Sequence, residues 1–337
     1  MTNSSFLQYT LLAISFGCLF LITSASAQLR NLDIHLENYE YPYPVAVLKV
    51  NAQNQTLNMA YMDVKPSRPN GKTVLLLHGK NFNGAYWRQT ADTLLSLGYR
   101  VLMPDQIGFG KSSKPEHFQY SFQQLATLTK KLVDTLGIKN VNVLGHSMGG
   151  MLAVRFTLMY PEIVSRLILE NPIGLEDYKV KVPYTDVNSL YQKELKQDHA
   201  SLKKYQLTSY YDNQWKPEYD EWLNLLAGWT LNKDYPRIAW NNALTTDMIM
   251  TQPVVYEFGN INRPVLLIIG QRDRTALGKD LVSKEMAATM GNYPALSKKT
   301  KAKMKNSRLV KLEGIGHMPH IESFDRFITP LLDFLKK

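Results

Sequence analysis

Val141-Asn142-Val143-Leu144-Gly145-His146-Ser147-Met148-Gly149-Gly150 is the stretch on which the reading of this chain turns. A short apolar run ends at a serine between two glycines, and a helical pattern begins immediately after it. Glycines at such a junction let the backbone turn sharply and hold the serine in a strained conformation, its hydroxyl raised at a helix N-terminus. That terminus presents unpaired N–H groups and a field that favours a developing oxyanion. Gly-x-Ser-x-Gly alone is a common pattern. Between a strand and a helix, in that order, it is specific.

Outward from this turn, strand and helix signals alternate. Residues 45–50 and 57–64 read as an antiparallel hairpin. Residues 73–78, 100–104, 141–144, 166–170, 265–269 and 308–312 are short runs, most of them apolar enough for burial on both faces of a sheet. Helical periodicity occupies 87–97, 122–136, 148–160 and 324–335, with Gly98, Gly137 and Pro161 as stops. The expected fold class is α/β: a mainly parallel, twisted sheet with helices on both faces and an inserted helical lid. Right-handed crossovers then place the active site at the carboxyl ends of the strands.

Residues 174–258 differ in composition. They hold four of the five tryptophans, and Trp215, Trp222 and Trp229 stand seven apart, which puts them on one face of a continuous helix. That stripe reads as a packing face, with one or two rings available to line a cleft beneath a lid.

Four further motifs resemble the α/β-hydrolase fold superfamily, over about residues 40–337. His78-Gly79 follows the 73–78 strand as the family's oxyanion loop does. Pro104-Asp105-Gln106-Ile107-Gly108-Phe109-Gly110-Lys111-Ser112 is similar to its P-D-x-x-G-x-G-x-S loop. Gly270-Gln271-Arg272-Asp273 follows a strand where the family carries its triad acid, and Gly316-His317 matches its catalytic histidine. The resemblance implies Ser147 as nucleophile, His317 as general base and then acid, and Asp273 as the group that orients the imidazole. It also implies main-chain oxyanion donors at Met148 and Lys80. The order Ser…Asp…His is the one expected for this fold.

Competing assignments are weaker. Asp105 lies in a loop that serves structure in the family, and Glu170 is a distant second choice of acid; Asn171 cannot act as one. His146 and His78 read as packed, satisfied histidines. His317 and His320 lack the H-E-x-x-H spacing and further ligands that a metal site needs. Gly110-Lys111-Ser112 lacks the upstream glycine of a P-loop, and no G-x-G-x-x-G follows a strand. Neither a metal nor an organic cofactor is expected. A serine nucleophile excludes the chemistry of the family's dehalogenases and epoxide hydrolases, which use a carboxylate to form an alkyl ester. The expected activity is serine hydrolysis of a carboxylic ester of a small molecule. C–C bond hydrolysis of a diketone-like acid, or amide and aminopeptidase chemistry, is the alternative on the same triad. Lys80, Arg272 and Arg274 fall near the catalytic end of the sheet, either as contacts to a substrate carboxylate or as partners of lid acids such as Asp220 and Glu221.

Composition fits this frame. With 337 residues, 45% hydrophobic and 20% charged, the chain is globular and long enough for two domains or one large one. The expected division is a core of 28–173 and 259–337 with a cap of 174–258. Residues 1–27 carry no Lys, Arg, Asp or Glu, and an apolar run over 11–22 precedes Ala25-Ser26-Ala27. This reads as a signal peptide cleaved after Ala27, hence a periplasmic or secreted protein, with a membrane anchor as the alternative. The one cysteine, Cys18, lies in that segment, so no disulfide framework is available to the mature chain. The 39 Lys+Arg against 29 Asp+Glu give a net charge of +10. Much of it crowds into Lys298, Lys299, Lys301, Lys303 and Lys305, a solvated face that attracts anionic surfaces weakly. Aromatic groups are not interleaved there as nucleic-acid binding requires.

Overall fold

Hairpin geometry sets one edge of the molecule. The computed structural model describes residues 29–336; the expected signal peptide lies outside the described residues. Strands β1 (Ala46–Ala52) and β2 (Gln55–Val64) are joined by Gln53 and Asn54, both at positive φ, a tighter turn than the polar run suggests. Strands β3 (Thr73–Leu77), β4 (Arg100–Pro104), β5 (Val141–His146), β6 (Val164–Glu170), β7 (Val265–Gly270) and β8 (Ser307–Leu312) complete the sheet. Its order is β1-β2-β4-β3-β5-β6-β7-β8. The first two pairings, β1 with β2 and β2 with β4, are antiparallel and the rest parallel.

Alternation along the central strands builds two cores. On one face Leu75, Leu77, Val143, Leu167 and Leu267 pack with α2 (Phe122–Thr135) and α3 (Met148–Met159). On the other, Val74, Leu76, Leu144, Ile168 and Leu266 meet α1 (Arg88–Ser96) and the C-terminal helix. Burial on both faces explains why these strands read as continuous apolar runs.

Between β6 and β7 the chain forms α4 (Val187–Glu194), α5 (His199–Ser209), α6 (Asp220–Thr230) and α7 (Tyr235–Thr251). Between β7 and β8 lie α8 (Lys284–Thr289) and α9 (Tyr293–Lys303), and after β8 come α10 (Pro319–Glu322) and α11 (Phe324–Lys336). The crowded lysines ride on α9 and the turn that follows it. The tryptophan stripe is broken. Trp222 and Trp229 share α6, but Trp215 precedes it, because Pro217 starts a separate 3-10 turn and the Trp215 indole N–H donates to Asp220 at 2.8 Å. Trp229 instead donates to the main-chain oxygen of Asp33, so the segment before β1 is strapped across α6. The same strap reaches the core through Tyr41, whose hydroxyl donates to Asp105 at 2.7 Å. Among the described residues no helix is long and apolar enough to cross a membrane.

Helix α11 closes the second core with Phe327, Leu331 and Leu335, one stripe at i, i+4 and i+8, each without solvent exposure. Leu331→Ala leaves a cavity there and is expected to destabilise the fold by about 2–5 kcal/mol, read as a lowered thermal midpoint.

Candidate active site

Local backbone geometry raises the serine. Ser147 sits at φ 55°, ψ −120° between β5 and α3, a conformation that costs a non-glycine residue about 1–3 kcal/mol and survives only where packing overdetermines it. The packing is visible at Gly149: a β-carbon there would lie 2.2 Å from the Leu77 oxygen and 2.6 Å from that of His78. Only glycine lets α3 come down onto the end of β3. The Ser147 N–H donates to Glu170 O at 3.2 Å, and its carbonyl accepts from Ile173 and Gly150, which fixes the turn against β6.

Three side chains from three strand ends then meet. His317 Nε2 lies 3.0 Å from Ser147 Oγ, and His317 Nδ1 lies 2.7 Å from Asp273 Oδ2. The carboxylate fixes the tautomer: Nδ1 carries the hydrogen, leaving Nε2 to accept from the serine. Asp273 is held in turn by the Thr275 N–H at 2.7 Å and the Asn171 amide at 2.8 Å. Asn171, unable to be the acid, thus serves to anchor it. The amide of Met148 is the first of α3, where a helix has no internal partner to offer. That of Lys80 lies in the loop after β3 and donates to no main-chain oxygen.

The remaining candidates have other work. Asp105 accepts from the N–H groups of Gly84 and Lys111 and from Tyr41, so it ties loops together away from the serine. His78 accepts the Gln106 N–H at 3.0 Å and pairs with Gly79 O at 2.8 Å. Arg272 pairs with Glu322, which also accepts the Gly316 N–H at 2.7 Å, so this ion pair shapes the turn bearing His317. Lys80 pairs with Glu194 of α4 at 3.4 Å. The partners expected for these cations, Asp220 and Glu221, bond instead to Trp215 and Tyr39.

His146 proves more than packed. Its Nε2 faces the carbonyl oxygen of His317 at 2.8 Å, which only an N–H can satisfy, so Nδ1 is the bare acceptor. Tyr86 Oη lies 3.1 Å from Nδ1 and donates to it, while accepting the Gly79 N–H at 2.8 Å. A three-bond chain therefore links the loop after β3 to the backbone of His317. Both groups are fully buried, and burial holds His146 well below the usual histidine range, so the chain stays neutral. Sequence gave a signal for His146 but none for Tyr86. Another residue without a sequence signal is Tyr210, at the end of α5, whose ring stacks on His317 with centroids 4.8 Å apart at 25°. Its main-chain oxygen would lie 2.0 Å from a β-carbon at Gly316, which only glycine permits.

Beneath this layer Glu170 Oε1 accepts from both the main-chain N–H and Nδ1 of His320, each at 2.8 Å. Burial raises the carboxyl to about 7 and lowers the imidazole to about 3, so both directions favour a neutral pair. A cavity of about 870 Å³ opens from Ser147 between the core and α4, α5 and α7. None of the tryptophans lines it.

A family model described as alpha/beta hydrolase fold matches residues 72–324. The chain belongs to the alpha/beta hydrolase fold family. Among solved structures, a probable hydrolytic enzyme from Pseudomonas aeruginosa PAO1 is 46% identical with a TM-score of 0.90, covering 92% of this chain and 99% of that one. An esterase from Exiguobacterium antarcticum has a TM-score of 0.66 at 19% identity, over 84% of this chain and 97% of that one, a likeness of fold. A haloalkane dehalogenase from Mycolicibacterium paratuberculosis is 33% identical over 146 residues, 42% of this chain and 48% of the relative. A 2-hydroxy-6-oxononadienedioate/2-hydroxy-6-oxononatrienedioate hydrolase from Klebsiella pneumoniae is 37% identical over 125 residues, 36% of this chain and 42% of the relative. The chain thus spans under half the length of these curated relatives.

Two tests follow from the buried network. Tyr86→Phe breaks the chain to His146 and is expected to lower kcat about tenfold with KM little changed, the worth of one buried hydrogen bond. Because the Glu170 carboxyl is raised in the fold, its contribution to stability is full below pH 4.5 and is lost as pH rises through about 7. The thermal midpoint of wild type relative to Glu170→Gln should therefore fall between pH 4.5 and 7.

Proposed function

We propose that this chain is a serine hydrolase of carboxylic esters that works through an acyl-enzyme on Ser147. The observation that carries the reading is the continuous Asp273–His317–Ser147 contact, 2.7 Å and 3.0 Å, ending on a strained serine at the head of α3. His317 Nε2 takes the Oγ proton as the oxygen attacks the ester carbonyl. The tetrahedral oxyanion accepts from the N–H groups of Met148 and Lys80, where one such donor is worth about 10²–10³ in rate. Collapse breaks the ester bond as His317 returns the proton to the leaving alcohol. Water, deprotonated by the same nitrogen, then attacks the acyl carbonyl, and the bond to Ser147 Oγ breaks as His317 returns the proton to Oγ and the acid leaves. Asp273 holds the imidazole and balances its charge when protonated. The residues supply nucleophile, base and donors themselves, so the reading calls on no cofactor.

The likeness to a haloalkane dehalogenase does not extend to the reaction. Displacing a halide from carbon calls for a carboxylate nucleophile and an alkyl-ester intermediate, and the elbow here holds a hydroxyl. C–C bond hydrolysis is the second reading, favoured by the relatives named as nonadienedioate hydrolases.

A fluorophosphonate probe is expected to label wild type and not Ser147→Ala, whose kcat/KM on p-nitrophenyl esters should drop about 10⁴-fold or more. Labelling that persists in the variant would refute the nucleophile. A labelled wild type that turns over no ester, but cleaves a vinylogous diketone acid, would move the assignment to C–C hydrolysis.

A further inference from the structure

Charge is distributed unevenly around the cavity above Ser147. Most of its wall surface is apolar, and Ile173, Val182, Leu190, Leu202, Met250 and Leu277 contribute to it among many polar residues. Six cationic side chains also line it. Two are neutralised: Lys80 by Glu194, and Lys193 by Asp280. Four have no carboxylate partner among the described residues: Lys179, Lys204, Arg274 and Lys279. The Arg274 guanidinium donates only to main-chain oxygens, those of Gln271 at 3.0 Å and Asp273 at 2.6 Å, and Lys279 Nζ donates to the Arg274 oxygen. These bonds aim the two groups without cancelling their charge. Against the four stands Asp247, the lining carboxylate without a cation partner, and burial raises its carboxyl above the ordinary range. Burial lowers the pKa of Lys279 while Asp273 and Glu176 favour its charged form, but Asp273 is already bound to His317, Asn171 and Thr275, and Glu176 to Lys181.

We propose that the cavity selects esters that bear a second, anionic group, a carboxylate or a phosphate, at the end of an apolar chain, with Arg274 and Lys279 as the anion's ligands. The ester part of this statement rests on the hydrolase reading; the anion part does not. Lys179 and Lys204, exposed on the cavity wall, draw the anion in. Apolar surface makes up most of the same wall, so a short or wholly polar substrate leaves that surface wet. Of the two arginines near the triad, Arg272 is closed to substrate by Glu322, which leaves Arg274 as the fork-shaped donor.

The test compares matched pairs that differ in whether the far group is charged. p-Nitrophenyl hydrogen suberate is set against its methyl ester for a carboxylate, and p-nitrophenyl 8-(phosphonooxy)octanoate against its dimethyl phosphate triester for a phosphate. Wild type is expected to favour one anionic member about tenfold or more in kcat/KM at low ionic strength, and the pair that shows the preference identifies the anion. Arg274→Gln/Lys279→Gln should bring that ratio to about one, and 0.5 M salt should diminish it in wild type. Ratios near one in both pairs would overturn the proposal while leaving ester hydrolysis intact. A readout independent of turnover is fluorophosphonate labelling of Ser147. Monomethyl suberate or inorganic phosphate should slow it where dimethyl suberate does not, and the double variant should lose the effect. If no ester is cleaved but this protection is seen, the hydrolase reading falls and the anion site stands; equal labelling with all three compounds would sink the anion site.

Discussion

The absence of a side chain at Gly149 lets the N-terminus of α3 settle on the carbonyls of Leu77 and His78, and most of the site depends on that approach. A helix start pressed against a strand end forces the connecting residue into a tight turn, and Ser147 takes the strain at φ 55°. The same approach brings the loop after β3 beside the serine. In the proposed mechanism the Lys80 and Met148 amides are the donors that an oxyanion on this side would use. The strain comes from one steric fact. A methyl group at residue 149 would push α3 off those carbonyls and relieve that strain.

Three buried histidines around this turn are separated by their partners. His317 has a carboxylate on Nδ1 and the serine on Nε2, which makes it the one fitted to move a proton. His146 donates to the His317 carbonyl and accepts from Tyr86, so it is fully used as a brace. His320 faces Glu170 with no compensating cation, and burial keeps both neutral. The arrangement avoids placing two imidazolium charges within about 5 Å of each other, which at low dielectric would be costly. His146 and His317 have ring centroids 4.9 Å apart, so the imidazolium that the proposed mechanism forms at His317 requires a neutral neighbour.

The helices between β6 and β7 contribute to the site as well as covering it. Tyr210 stacks on His317, Glu194 holds Lys80, and α5 and α7 complete the wall of the cavity. The strap before β1 fastens this layer through Trp229 and fastens itself to the core through Tyr41 and Asp105. Cap position and histidine geometry are thus coupled by contact. The four lining cations without a carboxylate partner among the described residues lie on the same surface, Lys179 and Lys204 between β6 and β7, Arg274 and Lys279 in the loop after β7.

Much was legible in the chain because strands buried on both faces must be written as apolar runs, and because a nucleophile elbow needs glycines at set spacing. That fixed the sheet, the serine and, through resemblance, Asp273 and His317. The helices between β6 and β7 were legible only as a composition. Local punctuation at Pro217 overrode the seven-residue spacing, and Trp215 left the helix. Sequence could nominate Lys80, Arg272 and Arg274 but not decide which of them a substrate can reach. Ion pairs form between groups far apart in the chain, and Lys80 meets Glu194 across 114 positions. Tyr86 and Tyr210 had no signal at all, and Asn171 stood only at the alternative acid position it could not fill, since a hydrogen bond or a stacked ring has no spacing rule. The order of strands determined where the chemistry sits; the packing of side chains across the cleft decided which groups are tied to one another and which remain for a ligand.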